Sequence, residues 1–191
     1  MRYTKDMTDQ VFMDEFLSWS VEQQIRYVTL LAATETFKTV PDLLAVLPRC
    51  QSVVVDAVLG LVLGFPHQLH DLVMGVLTDI QYPADIRLLL FFAFIDQPSL
   101  AMVTGLVQLY MNPSDALLEP HIASYCRDAY VLAVIPCVEQ LVVRHHEARA
   151  TQLLYEIGQD NVKRVLDQFP LKPDERQQLS VIFPTLWASD S

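Results

Sequence analysis

The hydrophobic positions of this chain concentrate in one stretch, Ser52 to Tyr110, a nearly uninterrupted apolar run cut into helix-sized pieces by prolines. The pieces read SVVVDAVLGLVLGF, PHQLHDLVMGVLTDIQY, PADIRLLLFFAFIDQ and PSLAMVTGLVQLY. Proline is tolerated in a first helical turn, where its missing N–H has no partner to lose, but not in a helix interior. The spacing therefore predicts helices over Ser52–Gly64, Pro66–Ile80, Pro83–Ile95 and Pro98–Tyr110. In the first, Val54, Val58, Leu61 and Val62 form a stripe, and Val53, Val55 and Leu59 widen it to most of the circumference. A helix apolar on nearly all sides is expected at the centre of a fold. The valine run looks strand-like in composition alone. It sits in a segment too long for a typical strand, and the chain shows neither sustained alternation nor an Asn-Gly or Asp-Gly hairpin.

The flanks carry the same punctuation. Thr8 is placed to cap a first helix that ends at Trp19. Ser20 then caps a second, with Gln23 three residues on as a capping box requires, and Ile25, Val28 and Leu31 on one face. Glu35–Thr39 reads as a connector. Val40-Pro41-Asp42 opens a short helix through Leu47, and Pro48 stops it. Beyond the central run, helices are expected from Ser114 to Tyr125 and from Arg127 to His146, with Pro136 kinking or splitting the latter. Further helices follow over Glu147–Ile157 and Asn161–Phe169, and a last one starts at Lys172-Pro173-Asp174-Glu175. About ten to twelve short helices with short links pack as antiparallel neighbours. The expected fold is all-α: tandem short antiparallel helices, either a HEAT/armadillo-like stack or a multi-helix bundle. One domain over 1–191 is expected, with a subdomain seam at most near residue 145, where the chain becomes more charged.

Composition narrows the function classes. Hydrophobic residues make up 52% and charged residues 19% of the 191 positions, which is apolar for a water-soluble domain. Part of that excess is expected at the surface or under a partner. Lys and Arg number 13 against 23 Asp and Glu, a net charge of -10. Such a surface repels phosphate backbones and disfavours direct nucleic-acid binding. The charged residues that interrupt the central run break any span of about 20 apolar residues, so a membrane-spanning helix is not expected. The N-terminus, MRYTKDMTDQ, has no apolar signal core. Cys50, Cys126 and Cys137 are odd in number and irregularly spaced, as buried thiols in a reducing compartment are. The expected location is cytoplasmic or nuclear.

Candidate chemistry is sparse. His67 and His70, at i and i+3, suit a shared metal, but there is no HExxH glutamate and no obvious third ligand. His145-His146-Glu147 reads as a solvated helix end. Cys126 with His121 evokes a thiol–imidazole pair without a third group or a glycine turn to hold an oxyanion. Gly60 and Gly64 form a GxxxG expected to let two helices approach closely, with Gly75 and Gly105 in neighbouring helices. Arg144, Arg149, Lys163 and Arg164 are interspersed with carboxylates and read as salt-bridging faces. No phosphate loop, nucleophile elbow or kinase-like set occurs. The chain is expected to be no enzyme, and to need neither metal nor cofactor.

Trp19-Ser20 followed by Gln24-Ile25-Arg26-Tyr27-Val28 and Leu31 fits a W-S-x-x-x-Q-I-x-aromatic-V pattern. It resembles the opening of the helical dimerisation segment ahead of the F-box in WD40-type F-box substrate receptors. Its Trp-plus-Gln opening is similar to that of the pseudo-HEAT dimerisation region of Smaug-type mRNA regulators. Val40-Pro41-Asp42-Leu43 resembles a helix start in the armadillo-like subunit of the cytoplasmic mRNA deadenylase complex. Each match is short, and the chain shows no F-box, WD repeats or SAM-type segment. The resemblance implies a helical module that associates with itself or a partner, and carries over no functional residue.

These readings converge on a non-catalytic scaffold or adaptor that binds another protein or itself as a homodimer. Aromatic anchors at element ends, Trp19, Phe37, Tyr110, Phe183 and Trp187, are the candidate interface residues. The alternative is a helical bundle with a small apolar ligand or lipid among Leu89–Phe94, Met102 and Met111. An enzyme using His67 or His70 is the third reading.

Overall fold

The structure is a computed structural model. It describes residues 7–95, 98–112, 116–143, 146–184 and 186, with side chains from residue 11 onward. Among these residues there are twelve α-helices, one short 3-10 turn and no strand, so the fold is all-α and multi-helical. The chain divides into two compact units at the 96–97 junction. The seam expected near residue 145 falls at 144 and 145, outside the described residues.

The first unit holds α1 (Met7–Ser18), α2 (Val21–Thr34), α3 (Val40–Val46), a 3-10 turn (Leu47–Arg49), α4 (Ser52–Gly64), α5 (Pro66–Thr78) and α6 (Ala84–Ile95). Here α1 packs on α3, α2 on α4, and α4 to α6 against one another. The capping box at Ser20 is present in full. The Ser20 hydroxyl accepts from the Gln23 N–H at 3.3 Å, and the Gln23 side chain accepts from the Ser20 N–H at 2.8 Å. Pro41 and Pro66 lie in first helical turns, and Pro83 immediately precedes α6.

The α4 expectation needs correcting. Only the stripe Val54, Val58, Leu61 and Val62 is buried, while Val53, Gly60 and Gly64 face outward. The glycines lie across the helix from the buried stripe. A Cβ built on Gly60, Gly64 or Gly75 meets nothing within 4 Å among the described residues. Among the described residues the GxxxG therefore brings no other helix close.

The second unit holds α7 (Leu100–Met111), α8 (Glu119–Asp128), α9 (Tyr130–Leu141), α10 (Glu147–Ile157), α11 (Gln159–Leu166) and α12 (Pro173–Ile182). Its centre is α9, which packs on each of the other five and buries Ala133, Val134, Pro136, Cys137, Val138 and Leu141. Two expected helices shift. α8 starts at Glu119, with Pro120 in its first turn; Ser114, where the helix was expected to begin, lies outside the described residues. α9 starts at Tyr130 because the backbone leaves helical geometry at Ala129 (φ -96°, ψ 32°). Pro136 lies inside α9 without splitting it.

Candidate interaction surface

Three groups of residues fix how the surface is built. The first is the α1–α2 corner. Trp19 packs on Phe16 and Tyr27, with ring centroids 5.6 and 5.4 Å apart, and Phe12 closes the cluster 5.7 Å from Tyr27. Buried Gln24 donates to the Phe16 carbonyl at 2.8 Å, a second donor beside the Trp19 N–H at 3.2 Å, at the C-terminal end of α1. The Tyr27 and Thr39 hydroxyls share a hydrogen bond of 3.0 Å. The Trp, Ser, Gln and aromatic positions of the pattern singled out in the sequence thus all serve this corner.

The second is Arg87 on α6. Its side chain turns inward, leaving 3% exposed, and Nε and Nη2 both donate to the Leu77 carbonyl, at 3.1 and 2.7 Å. It caps the C-terminal end of α5, where a cation also meets the negative end of the helix dipole. Burial lowers the guanidinium pKa from its ordinary value, and nearby Asp79 works against that shift.

The third is a hollow of about 360 Å³ in the second unit, lined by Pro98, Tyr125, Asp128, Ala129, Val131 and Leu132. It forms where α8 turns into α9 beside the residues that lead into α7. Its lining surface is mostly apolar. Val131 is 58% exposed, and Leu100, two residues beyond Pro98, is equally so. Pro136 has no N–H to offer the Leu132 carbonyl, four residues earlier in the same helix.

The interface candidates separate by burial. Trp19 and Phe37 are half-buried, and Phe37 packs on Phe65 with centroids 4.9 Å apart. Tyr110 and Phe183 are buried in the core of the second unit. The Tyr110 ring lies under the Arg149 guanidinium at 4.6 Å, and Phe183 meets Tyr155 edge-on at 4.9 Å. In this conformation neighbouring side chains cover both rings. Trp187 lies outside the described residues. For the ligand reading, Met102 and Met111 are buried, whereas Leu89 and Phe92 are exposed. The hollow was not foreseen: five of its six lining residues fall within Tyr125–Leu132, where no local pattern marks a cavity, and Pro98 joins them only through the fold.

The chemical candidates are dispersed. His67 is exposed. His70 Nδ1 lies 3.0 Å from Asp71 Oδ1, while its Nε2 is enclosed with no hydrogen-bond partner among the described residues. No group of three or more His, Cys, Asp or Glu suited to a metal occurs among the described residues. Cys126 is buried, and desolvation pushes its thiol up to about 12, so it is protonated at neutral pH and a poor nucleophile. Burial also raises Cys137 well above its ordinary value, with Cys126 adding to the shift, and raises Cys50, against the opposing effect of Arg49. All three thiols are free. His146 begins the turn ahead of α10, and His145 lies outside the described residues.

Among the described residues no single helix is long and apolar enough to cross a membrane. α4 and α5 together have the composition, but they meet at a bend of 118°. In comparisons with known proteins, no family model, curated protein or solved structure matches this chain.

Proposed function

We propose that this protein is a non-catalytic helical scaffold or adaptor, of HEAT/armadillo-like character, that binds another protein or itself. The observation that carries this reading is the set of large apolar side chains left in water: Ile80, Leu100, Val131 and Val181 are each more than half exposed. Two of them lie at or beside an apolar hollow. Burying such side chains stabilises a complex by roughly 25 cal/mol per Å², and anchors seated in pockets dominate interface energetics. The acidic surface argues against nucleic acid as the partner. Three unpaired thiols suit a reducing compartment, cytosol or nucleus.

A second reading has one observation in its favour. The hollow falls at the lower end of the range for small-molecule sites, roughly 300–1,000 Å³, so a small apolar ligand or lipid is the alternative occupant. Native mass spectrometry of the purified protein separates the two. Retained small-molecule mass supports the ligand reading, whereas a second polypeptide or a second copy supports the adaptor.

A further inference from the structure

The exposed positions of the α5–α6 hairpin include carboxylates and large apolar side chains and no Lys or Arg. Asp85, Leu89 and Phe92 follow one another at i, i+4 and i+7, so they share one side of α6, opposite the buried Leu90 and Phe94. Leu89 is 36% and Phe92 47% exposed, and Ile80, in the connecting turn, is 68% exposed. Asp71 is exposed on α5. From Gln51 to Cys126 the only Lys or Arg is Arg87, and its guanidinium is turned inward onto the Leu77 carbonyl. The hairpin's one positive charge is thus withdrawn from its surface. The Phe92 ring is held edge-on against buried Phe91, with centroids 5.5 Å apart and planes at 80°. An anchor already oriented in this way loses little side-chain freedom on binding.

We propose that this surface docks a lysine- or arginine-bearing amphipathic helix of another protein. This rests on the adaptor reading and names its partner class. The three positions on α6 span about 10 Å along the helix axis. That is the reach of apolar side chains at i, i+3 or i+4, and i+7 on a partner helix. Cations flanking that stripe meet Asp85 in the first turn of α6, and exposed Asp71 on α5 adds to the negative potential of the hairpin, which supplies specificity and speeds encounter. A second copy fits this face poorly, because a two-fold contact sets the same patch against itself and so offers Asp85 no exposed Lys or Arg. Nucleic acid and anionic bilayers share the negative sign of the surface and are repelled.

The test uses the full chain and a labelled, lysine- and leucine-patterned amphipathic helix of about 18 residues, long enough to hold its fold when bound. Fluorescence anisotropy compares it with a scrambled isomer of equal charge and with a glutamate-for-lysine version. The helix binds at least about tenfold more tightly than either control, and binding weakens as salt rises. Asp71→Lys with Asp85→Lys, or Leu89→Ser, weakens it about tenfold or more, whereas Glu156→Lys with Asp160→Lys in the second unit leaves it within about twofold. Circular dichroism checks each variant; should Leu89→Ser misfold, the charge-reversal pair, at exposed positions, decides. Equal binding of the scramble, undiminished binding by folded Asp71→Lys/Asp85→Lys, or co-sedimentation with phosphatidylglycerol vesicles in place of peptide binding overturns the proposal. If binding is lost only in Val131→Ser, the docking surface lies at the hollow, and the proposal falls while the adaptor reading stands. A chain that binds no peptide and stays monomeric defeats both.

Discussion

Arg149 and Glu119 form the principal clasp of the second unit. Arg149 Nη2 lies 2.9 Å from Glu119 Oε2, with each side chain less than a third exposed. The same guanidinium donates through Nε to the Tyr110 carbonyl at 2.7 Å and covers the Tyr110 ring. One residue of α10 thus ties together the last turn of α7 and the first turn of α8. Removing one partner leaves the other half-buried and unmatched, which costs more than an exposed pair contributes. Arg149→Ala is expected to lower stability by about 1–3 kcal/mol, measured by urea unfolding. Arg149→Lys recovers only part of this, because an ammonium cannot serve carboxylate, carbonyl and ring face together.

The α1–α2 corner makes a second prediction. Gln24→Leu keeps the bulk but leaves the Phe16 carbonyl without its side-chain donor. A loss of about 1–2 kcal/mol is expected. Trp19→Ala removes the ring packed between Phe16 and Tyr27 and is expected to cost about as much or more. An effect of Trp19→Ala on association with stability unchanged would assign Trp19 to an interface instead.

Glu35 ends α2 in the left-handed conformation, with φ 50° and ψ 40°. The Thr36 N–H donates back to the Leu31 carbonyl at 3.1 Å, as in a Schellman ending. Glycine adopts that conformation without the steric cost of a Cβ. Glu35→Gly is expected to raise stability by about 0.5–1 kcal/mol, visible as a higher Tm.

The buried thiols set an alkaline limit. Cys126 titrates near 12 in the folded chain against an ordinary value of 9.0. A raised folded pKa gives stability that is fully present below the unfolded value and is lost as pH rises through the folded one. Stability is therefore expected to fall between about pH 9 and 12. Tyr110 and Tyr125, also raised by burial, act in the same direction. Cys126→Ala isolates the thiol: less stable at pH 7, but with a shallower alkaline decline. In thiol labelling at pH 8, half-buried Cys50 reacts first, and Cys126 and Cys137 react only on unfolding.

Much of the fold was legible because proline and capping chemistry are local. Ser20 with Gln23, Pro41, Pro66, Pro83 and Pro173 each mark a helix start found in the structure. The misses have physical causes. A helix was expected from Ser114, yet α8 begins at Glu119, with Pro120 in its first turn. In α4 and α6 apolar residues surround the helix, so periodicity cannot say which side is buried; tertiary packing selects Val54 over Val53 and Leu90 over Leu89. The interaction surface was hardest to read. Tyr110 and Phe183 look like any other aromatic at an element end, and only their neighbours make them core. Arg87 looked like one more charge in an apolar helix, and only the fold turns it inward.

The most direct test of the adaptor reading is the mass in solution across a dilution series, by size-exclusion chromatography with light scattering. It is run alone and with proteins recovered by affinity capture, on wild type and on Leu89→Ser and Val131→Ser. The account predicts a concentration-dependent dimer or a discrete complex, weakened by at least one of these substitutions while circular dichroism stays unchanged. A strictly monomeric chain that joins no partner, and behaves the same in all three forms, would contradict it.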